Sequence, residues 1–243
     1  MNGATTTVKN IMLSTVLVTG ANRGIGLEFC RQYLAKKYKV YACCRAPESA
    51  PALLSLKQHN PEQLHIEPLD VTNETMRGSF SRILGEQPID ILIHNAGVYG
   101  PRDASIGNVS EKDWINTFQV NTIAPLLLTQ LLIKNVLRSE EKKIILVSSK
   151  MGSIYDNSSG GNYIYRSSKS ALNAIGKSLA HDLLDHKISV AVVHPGWVQT
   201  DMGGSDATLT SEESVHGLAN VIEQLNIKNS GQFLNYDGLV IPW

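Results

Sequence analysis

The sequence predicts a doubly wound α/β fold, with helices over both faces of a parallel sheet. Three observations predict it. Short β-rich runs alternate along the chain with longer segments of helical period, the rhythm of βαβ units. Two of those runs, Val16-Leu17-Val18 and Ile144-Ile145-Leu146-Val147, are apolar at every position, as strands covered on both faces are. The turn Thr19-Gly20-Ala21-Asn22-Arg23-Gly24-Ile25-Gly26 closes the first run and opens an amphipathic helix, the kind of junction at which open α/β sheets hold ligands.

In chain order, Thr15 to Thr19 reads as the first strand and Ile25 to Lys37, past the glycine turn, as the first long helix. Strands follow at Lys39 to Cys44, Leu64 to Leu69 and Ile89 to His94, each a short β-rich run. Asp113 to Ser139 has helical period, and Pro125, which lacks an N–H, is expected to bend that helix just after Asn121. Its leucine-rich stretch, Leu126 to Ile133, is most simply sheet-facing. Lys143 to Val147 is a strand, Tyr163 to Leu184 a helix, Ile188 to His194 a strand, Ser211 to Leu225 a helix, and Gln232 to Leu234 a weaker last strand. The segments Tyr99 to Val109 and Pro195 to Thr210 are rich in Gly, Ser and Asp and follow strand ends, so they are expected to be substrate loops. No repeat, low-complexity tract or Pro/Ser-rich linker divides the chain, and one domain over residues 1–243 is expected.

Apolar residues make up 42% of the chain and charged residues 18%, spread evenly enough for a large buried core. Lys plus Arg equals Asp plus Glu at 22 each, and no basic cluster marks a face, which argues against nucleic acid as a partner. Met1 to Ser14 holds one lysine and the run Ile11-Met12-Leu13, too brief for a signal-peptide core, and no apolar stretch is read as membrane-spanning. The three cysteines, Cys30, Cys43 and Cys44, are odd in number and lack C-x-x-C spacing, which argues against a disulfide framework or a zinc site. A cytoplasmic chain without membrane contact is expected. His181 and His186 are five apart, off the i,i+4 spacing that pairs metal ligands on one helix face, and no metal is expected.

At Thr19 to Gly26, backbone N–H groups and the positive helix end can hold a pyrophosphate. The spacing is G-x-x-x-G-x-G; the last position of the commoner G-x-G-x-x-G falls on Phe29, and no G-K-[ST] follows for a P-loop. Such glycines can also be purely structural, so the turn alone leaves the matter open. At the end of the second strand the chain reads Cys44-Arg45-Ala46-Pro47, where an NAD enzyme would offer an acid to the ribose hydroxyls. Arg45 suits a 2′-phosphate, which guanidinium grips in a bidentate fork, and Arg23 in the turn could add a second cation. The rival reading is a pair of solvated surface arginines. NADP(H) is the expected cofactor, with NAD(H) as the alternative; Glu48, the nearest acid, reads as surface charge.

Tyr165 and Lys169, if helical, share a face at i,i+4. A tyrosine of ordinary pKa, about 10, is a poor acid–base catalyst near neutrality, and a neighbouring ammonium is expected to lower that value. Both residue types are frequent on helix surfaces, so the pair gains meaning from its context: Ser148-Ser149 ends the fifth predicted strand, and Asn121 lies in the helical segment before it.

With Thr19 to Gly26, Asp70-Val71, His94-Asn95-Ala96-Gly97 and Pro195-Gly196 through Thr200, these elements resemble the short-chain dehydrogenase/reductase family over nearly the whole chain. The resemblance implies a Rossmann-type seven-stranded sheet. It also implies that Tyr165 exchanges a proton with the substrate oxygen, that Ser149 hydrogen-bonds that oxygen, that Lys169 holds the nicotinamide ribose and tunes Tyr165, and that Asn121 supports a water relay to Lys169. Gly20, Asn22, Arg23, Gly24, Ile25 and Gly26 would hold the pyrophosphate, Asp70 and Val71 the adenine. Asn95, Ala96 and Gly97 would line the cofactor, with Pro195, Gly196, Val198 and Thr200 at the nicotinamide end. In many relatives the Leu126 to Ile133 region and the Tyr165 helix form a dimer surface, so a homodimer or homotetramer is implied.

Two departures stand out. His94 occupies the place where the family's N-N-A-G motif begins with asparagine, and is expected to alter a local strand contact only. The interval from Ser149 to Tyr165 is three residues longer than the commonest family spacing, which would land on Gly152; a Gly/Ser-rich insertion at Asp156 to Gly161 explains it, with Ser153 as the rival oxygen-binding serine. The segments around Tyr165, His194 and Asn235 further resemble sniffer-type carbonyl reductases and the bacterial C-factor group. Tyr99, Met151, Tyr155, Trp197 and Met202 lie on loops that could face the nicotinamide, and any of them could equally be core packing. Arg102 and Lys150, the cations in or beside these stretches, read as solvent-facing, which points to small neutral aldehydes, ketones or quinones. The contrasting reading is a dinucleotide-binding signalling or regulatory protein of the C-factor type.

Overall fold

Successive residues of each strand feed opposite cores: Val16 and Val18 pack on one side of the sheet, and Leu17 between them on the other. The computed structural model describes residues 13–243; the run Ile11-Met12 lies outside them. Seven strands, β1 Thr15–Thr19, β2 Lys39–Cys44, β3 Leu64–Pro68, β4 Ile91–His94, β5 Lys143–Val147, β6 Ser189–His194 and β7 Gln232–Asn235, form one sheet in the order β3-β2-β1-β4-β5-β6-β7. Every pairing is parallel. This is the predicted Rossmann-type doubly wound sheet.

Seven α-helices close the two faces: α1 Gly24–Ala35, α2 Pro51–His59, α3 Glu74–Leu84, α4 Glu111–Phe118, α5 Ala124–Leu137, α6 Tyr163–Asp182 and α7 Ser211–Gln224. Phe29 of α1, Leu53 of α2 and Leu218 of α7 share one core, while Phe80 of α3, Leu128 and Leu132 of α5 and Leu172 of α6 share the other. The sequence reading lacked α2 and α3. Leu53 is the single buried residue of α2, so its apolar stripe is too short for a periodic signal, although Pro51 at the helix start and the Asn73 cap of α3, which accepts from Met76 N at 2.9 Å, are local start signals.

The expected bend at Pro125 takes another form. Between α4 and α5 the chain makes a π-turn, Gln119–Ile123, and the helix continues without a break in residue order. Pro125 has no N–H for the carbonyl of Asn121, four residues back, and the wider turn absorbs that lost bond. The joined helix Glu111–Leu137 is long and apolar enough by composition to span a membrane, which corrects the reading that no such stretch exists. Half of its most apolar window is buried within the protein, because Leu128, Leu132 and Val136 press on the sheet.

The chain enters the sheet at β1, works outward to β3, then crosses back to β4 beside β1. That reversal opens a crevice at the carboxyl ends of β1 and β4, where the site lies.

Candidate active site

Two glycines of the turn after β1 adopt left-handed backbone, Gly20 at φ +67° and Gly24 at φ +54°. A Cβ on Gly20 would come within 2.9 Å of Ala96 Cα, and one on Gly26 within 2.2 Å of Gly20 O, so β1, α1 and the end of β4 close together only with bare backbone. Asn95 fastens this junction: its Nδ2 donates to Thr19 O at 2.9 Å and Gly20 O at 3.1 Å. His94 turns away from it, with Nε2 at 2.9 Å from Thr129 Oγ1 on α5, a helix partner where a local strand contact was expected. Burial pushes the His94 pKa down to about 3.

The resulting cleft has a volume of about 670 Å³. Gly20, Asn22, Arg23, Gly24, Ile25 and Gly26 wall one end, Arg45, Asp70 and Val71 the side, Asn95, Ala96 and Gly97 the floor, and Tyr165, Lys169, Pro195, Thr200 and Met202 the other end. Asn121, Ser149, Tyr99, Met151, Gly196, Trp197 and Val198 are not on its wall. Val198 is 3% exposed and bridges Leu209, and a Cβ on Gly196 would meet Leu209 Cδ1 at 2.4 Å, so both shape the loop from beneath. Cys44, Val98, Val120, Ser148 and Asp201 line the cleft and were not assigned to it by sequence; each adjoins an assigned residue or π-turn position, the one signal that could have found them.

The cleft fits a dinucleotide carrying a 2′-phosphate. The helix α1 opens onto it with no side-chain cap on its first N–H groups, and glycines leave room for a pyrophosphate. Arg45 is exposed on the wall at the end of β2, beside Asp70. Burial pushes the Asp70 carboxyl up, but the Thr72 hydroxyl at 2.7 Å and amide at 2.9 Å, with the charges of Arg45 and Arg77, hold it below the usual carboxylate value. Arg23, read as a second phosphate cation, lines the cleft and is ion-paired with Asp201 across its mouth, both side chains being mostly exposed.

The helix α6 brings Tyr165 and Lys169 to the far end on one face, 7% and 4% exposed. Lys169 Nζ donates to Val147 O at 2.9 Å and lies 5.9 Å from the Tyr165 ring centre. Burial lowers the lysine to about 8. Burial also pushes Tyr165 up to about 12, the Ser149 hydroxyl offsetting part of the rise and Tyr99 adding to it. This corrects the expectation of a lowered tyrosine: the ammonium is turned toward the Val147 carbonyl, and desolvation of the phenolate outweighs it.

Ser149 is 8% exposed, its Oγ accepting from Met151 N at 3.2 Å. The rival Ser153 is committed elsewhere, donating to Pro242 O at 2.6 Å and accepting from Asp156 N at 3.1 Å. Beyond it residues 154–160 stand out in solvent, the insertion that the longer spacing implied. Asn121 is fully buried; its side chain donates to Val98 O at 2.8 Å and Ser168 Oγ at 3.0 Å and accepts from Val98 N at 2.8 Å. These bonds pin the loop after β4 to α6.

The two expected substrate loops meet beside this end. The Tyr99 ring stacks on Tyr165, with centres 4.4 Å apart at 21°, and its hydroxyl donates to Asn162 Oδ1 at 2.9 Å. Arg102 lies 5.1 Å from the Tyr99 ring centre and donates to Met202 O at 2.6 Å, joining the loops. Met151 Sδ is 3.9 Å from the Tyr99 hydroxyl, Trp197 Nε1 donates to Gly203 O at 2.9 Å, and Tyr155 is 84% exposed. Lys150 pairs with Asp156 at 3.3 Å. His181 and His186 are exposed, and Cys30, Cys43 and Cys44 are buried thiols.

Known proteins share this arrangement. The family model for short chain dehydrogenase matches residues 14–209. The NADPH-bound carbonyl reductase from chicken fatty liver is 37% identical, covers 96% of this chain and 100% of its own, and superposes with a TM-score of 0.87. The carbonyl reductase Sniffer of D. melanogaster is 35% identical over 95% of this chain and 100% of its own, also at 0.87. C-signal of Myxococcus xanthus is 43% identical over 156 residues, 64% of this chain and 93% of that protein. The matched segment carries the glycine turn, the buttressing Asn95, the fully buried Asn121 and the Tyr165–Lys169 face in one frame. The chain belongs to the short-chain dehydrogenase/reductase family of oxidoreductases.

Proposed function

We propose that this protein reduces the carbonyl of small neutral aldehydes, ketones or quinones with NADPH, Tyr165 giving the proton. The observation that carries the reading is the buried Tyr165 phenol on the wall of a dinucleotide-sized cleft, with Lys169 on the same helix face and the Ser149 hydroxyl beside it. Reduction needs the protonated form of that group, and burial, which raises its pKa, favours that form. NADPH supplies the hydride; Arg45 would hold its 2′-phosphate, the turn Gly20 to Gly26 its pyrophosphate, and Lys169 its nicotinamide ribose. The Ser149 hydroxyl holds the carbonyl oxygen toward Tyr165 Oη, whose proton moves to that oxygen as the alcohol forms. Asn121 would support a water relay that leads a replacement proton in past Lys169. The structural neighbours, both carbonyl reductases and one of them NADPH-bound, support the cofactor and reaction class. NAD(H) use is the weaker alternative, since no carboxylate lies at the end of β2 on the cleft wall.

Tyr99 and Met151, packed beside Tyr165, and Met202 on the cleft wall offer apolar surface, and with Arg102 and Lys150 taken up by Met202 O and Asp156 they favour uncharged substrates. The likeness to C-signal favours a second reading, a dinucleotide-binding signalling protein. Screening aldehydes, ketones and quinones for NADPH oxidation separates the two. Turnover abolished by Tyr165→Phe supports the reductase, and tight NADPH binding without turnover on any carbonyl supports the signalling protein.

A further inference from the structure

The turn Lys150–Gly152, which directly follows Ser149, is stapled to α6 by side chains that the chemistry leaves unused. Arg166, Ser170 and Asn173 fall at i, i+4 and i+7, one stripe of α6 next to Tyr165 and Lys169. Arg166 Nη1 donates to Met151 O at 3.2 Å, Ser170 Oγ to Gly152 O at 2.8 Å, and Asn173 Nδ2 to the same carbonyl at 3.1 Å. Asn173 is 4% exposed, and its Oδ1 accepts from Ser148 Oγ at 2.6 Å, so one amide ties the end of β5 to the turn. Gly152 lies flush on the helix: a Cβ there would stand 2.8 Å from Lys169 C and 2.9 Å from Lys169 Cβ.

We propose that Asn173, aided by Ser170 and Arg166, is a positioning residue that fixes the Ser149 hydroxyl relative to Tyr165. The inference rests on the reading of Ser149 as the oxygen-binding serine. Ser149 Oγ accepts from Met151 N at 3.2 Å and Ser149 O accepts from Gly152 N at 2.8 Å, so the side chain's direction follows the turn. Residues 154–160, which run through solvent, contribute none of the bonds that set that direction. Registry between the serine and the tyrosine is therefore set by the side-chain staple and not by chain length.

Asn173→Asp keeps the size and the acceptor facing Ser148 but loses the donor to Gly152 O and sets a carboxylate against it. In the full chain, kcat should fall about tenfold with KM for NADPH changed less than about twofold, and amide exchange at Met151 to Ser153 should quicken. Ser170→Ala, which removes the other bond to the same carbonyl, should act in the same direction and more weakly, and carries the test if Asn173→Asp does not fold. Ser149→Ala should cost less in the Asn173→Asp background than in the native one. Unchanged exchange in both variants, or losses of Ser149→Ala and Asn173→Asp that multiply in full, would overturn the proposal. If Ser149→Ala alone leaves turnover intact, the serine assignment fails and the catalytic consequence of the staple with it, while exchange rates still decide whether the staple exists.

Discussion

Tyr165 and Lys169 share one helix face, yet burial moves their proton affinities in opposite senses, up to about 12 and down to about 8. Deleting only the phenolic oxygen isolates the proton donor: Tyr165→Phe should keep NADPH binding in calorimetry and lose turnover by roughly 10²-fold or more. Arg45→Ala removes a charge-assisted phosphate contact and should weaken NADPH binding by about 1.5–3 kcal/mol while NADH binding stays nearly level; equal losses for both cofactors would refute the 2′-phosphate assignment. His94 adds a pH dependence to stability. Its pKa is depressed in the fold, from 6.5 to about 3, so the unfolded chain takes up a proton first as the solution is acidified. Stability is intact above pH 6.5 and is lost as pH falls toward 3, by up to about 1.4 kcal/mol per pH unit for one proton. His94→Asn should flatten that part of the acid limb in a Tm-against-pH series, and an unchanged slope would show that the imidazole is protonated in the native state.

Among the elements, α6 carries Tyr165, Lys169 and the staple, so its seat on the sheet controls all of them. Gly176 permits that seat: a Cβ there would lie 2.3 Å from Val192 Cγ2 and 2.9 Å from Leu146 Cδ1, on β6 and β5. Gly176→Ala should therefore destabilise the protein by about 1–3 kcal/mol through overpacking, despite the better helix propensity of alanine. Urea unfolding measures it, and a variant more stable than the native chain would show that the helix can ride up freely. The neighbouring π-turn was half visible beforehand. Pro125 marked the irregularity, but whether a helix answers a missing N–H with a bend or with a wider turn depends on the packing around it, here the burial of Asn121 against Val98 and Ser168.

Across the whole molecule, the loops after β4 and β6 close on one another through Arg102 and Met202 O, and the glycine turn reaches the second of them through Arg23 and Asp201. The substrate end is thus framed by apolar side chains and by cations already engaged. For neutral carbonyl compounds, kcat/KM should rise with hydrophobic size, by about 25 cal/mol per Å² of apolar surface buried, until the pocket is full. A preference for an anionic keto acid that disappears in Arg102→Ala would reverse this reading. Trp114, Ile123 and Leu131 leave apolar surface on the α4 and α5 side, 38%, 46% and 42% exposed, in keeping with the homodimer or homotetramer that the family resemblance implies; light scattering would measure the assembly.

The sequence by itself determined the places of the seven strands and the covering of both sheet faces, and put Tyr165 and Lys169 on one helix face, because continuous apolar runs, i,i+4 spacing and a glycine turn are local patterns that survive without coordinates. It also narrowed the oxygen-binding serine to two. The tertiary structure commits Ser153 to Pro242, 89 residues away in sequence, a contact no local pattern encodes. It likewise decided that Arg23 pairs with Asp201, that α2 exists on a face too narrow to show a period, and that Tyr165 is a weaker acid than its lysine neighbour suggested. Each of these depends on burial or on partners distant in sequence, and desolvation is a property of the folded interior that residue spacing does not carry.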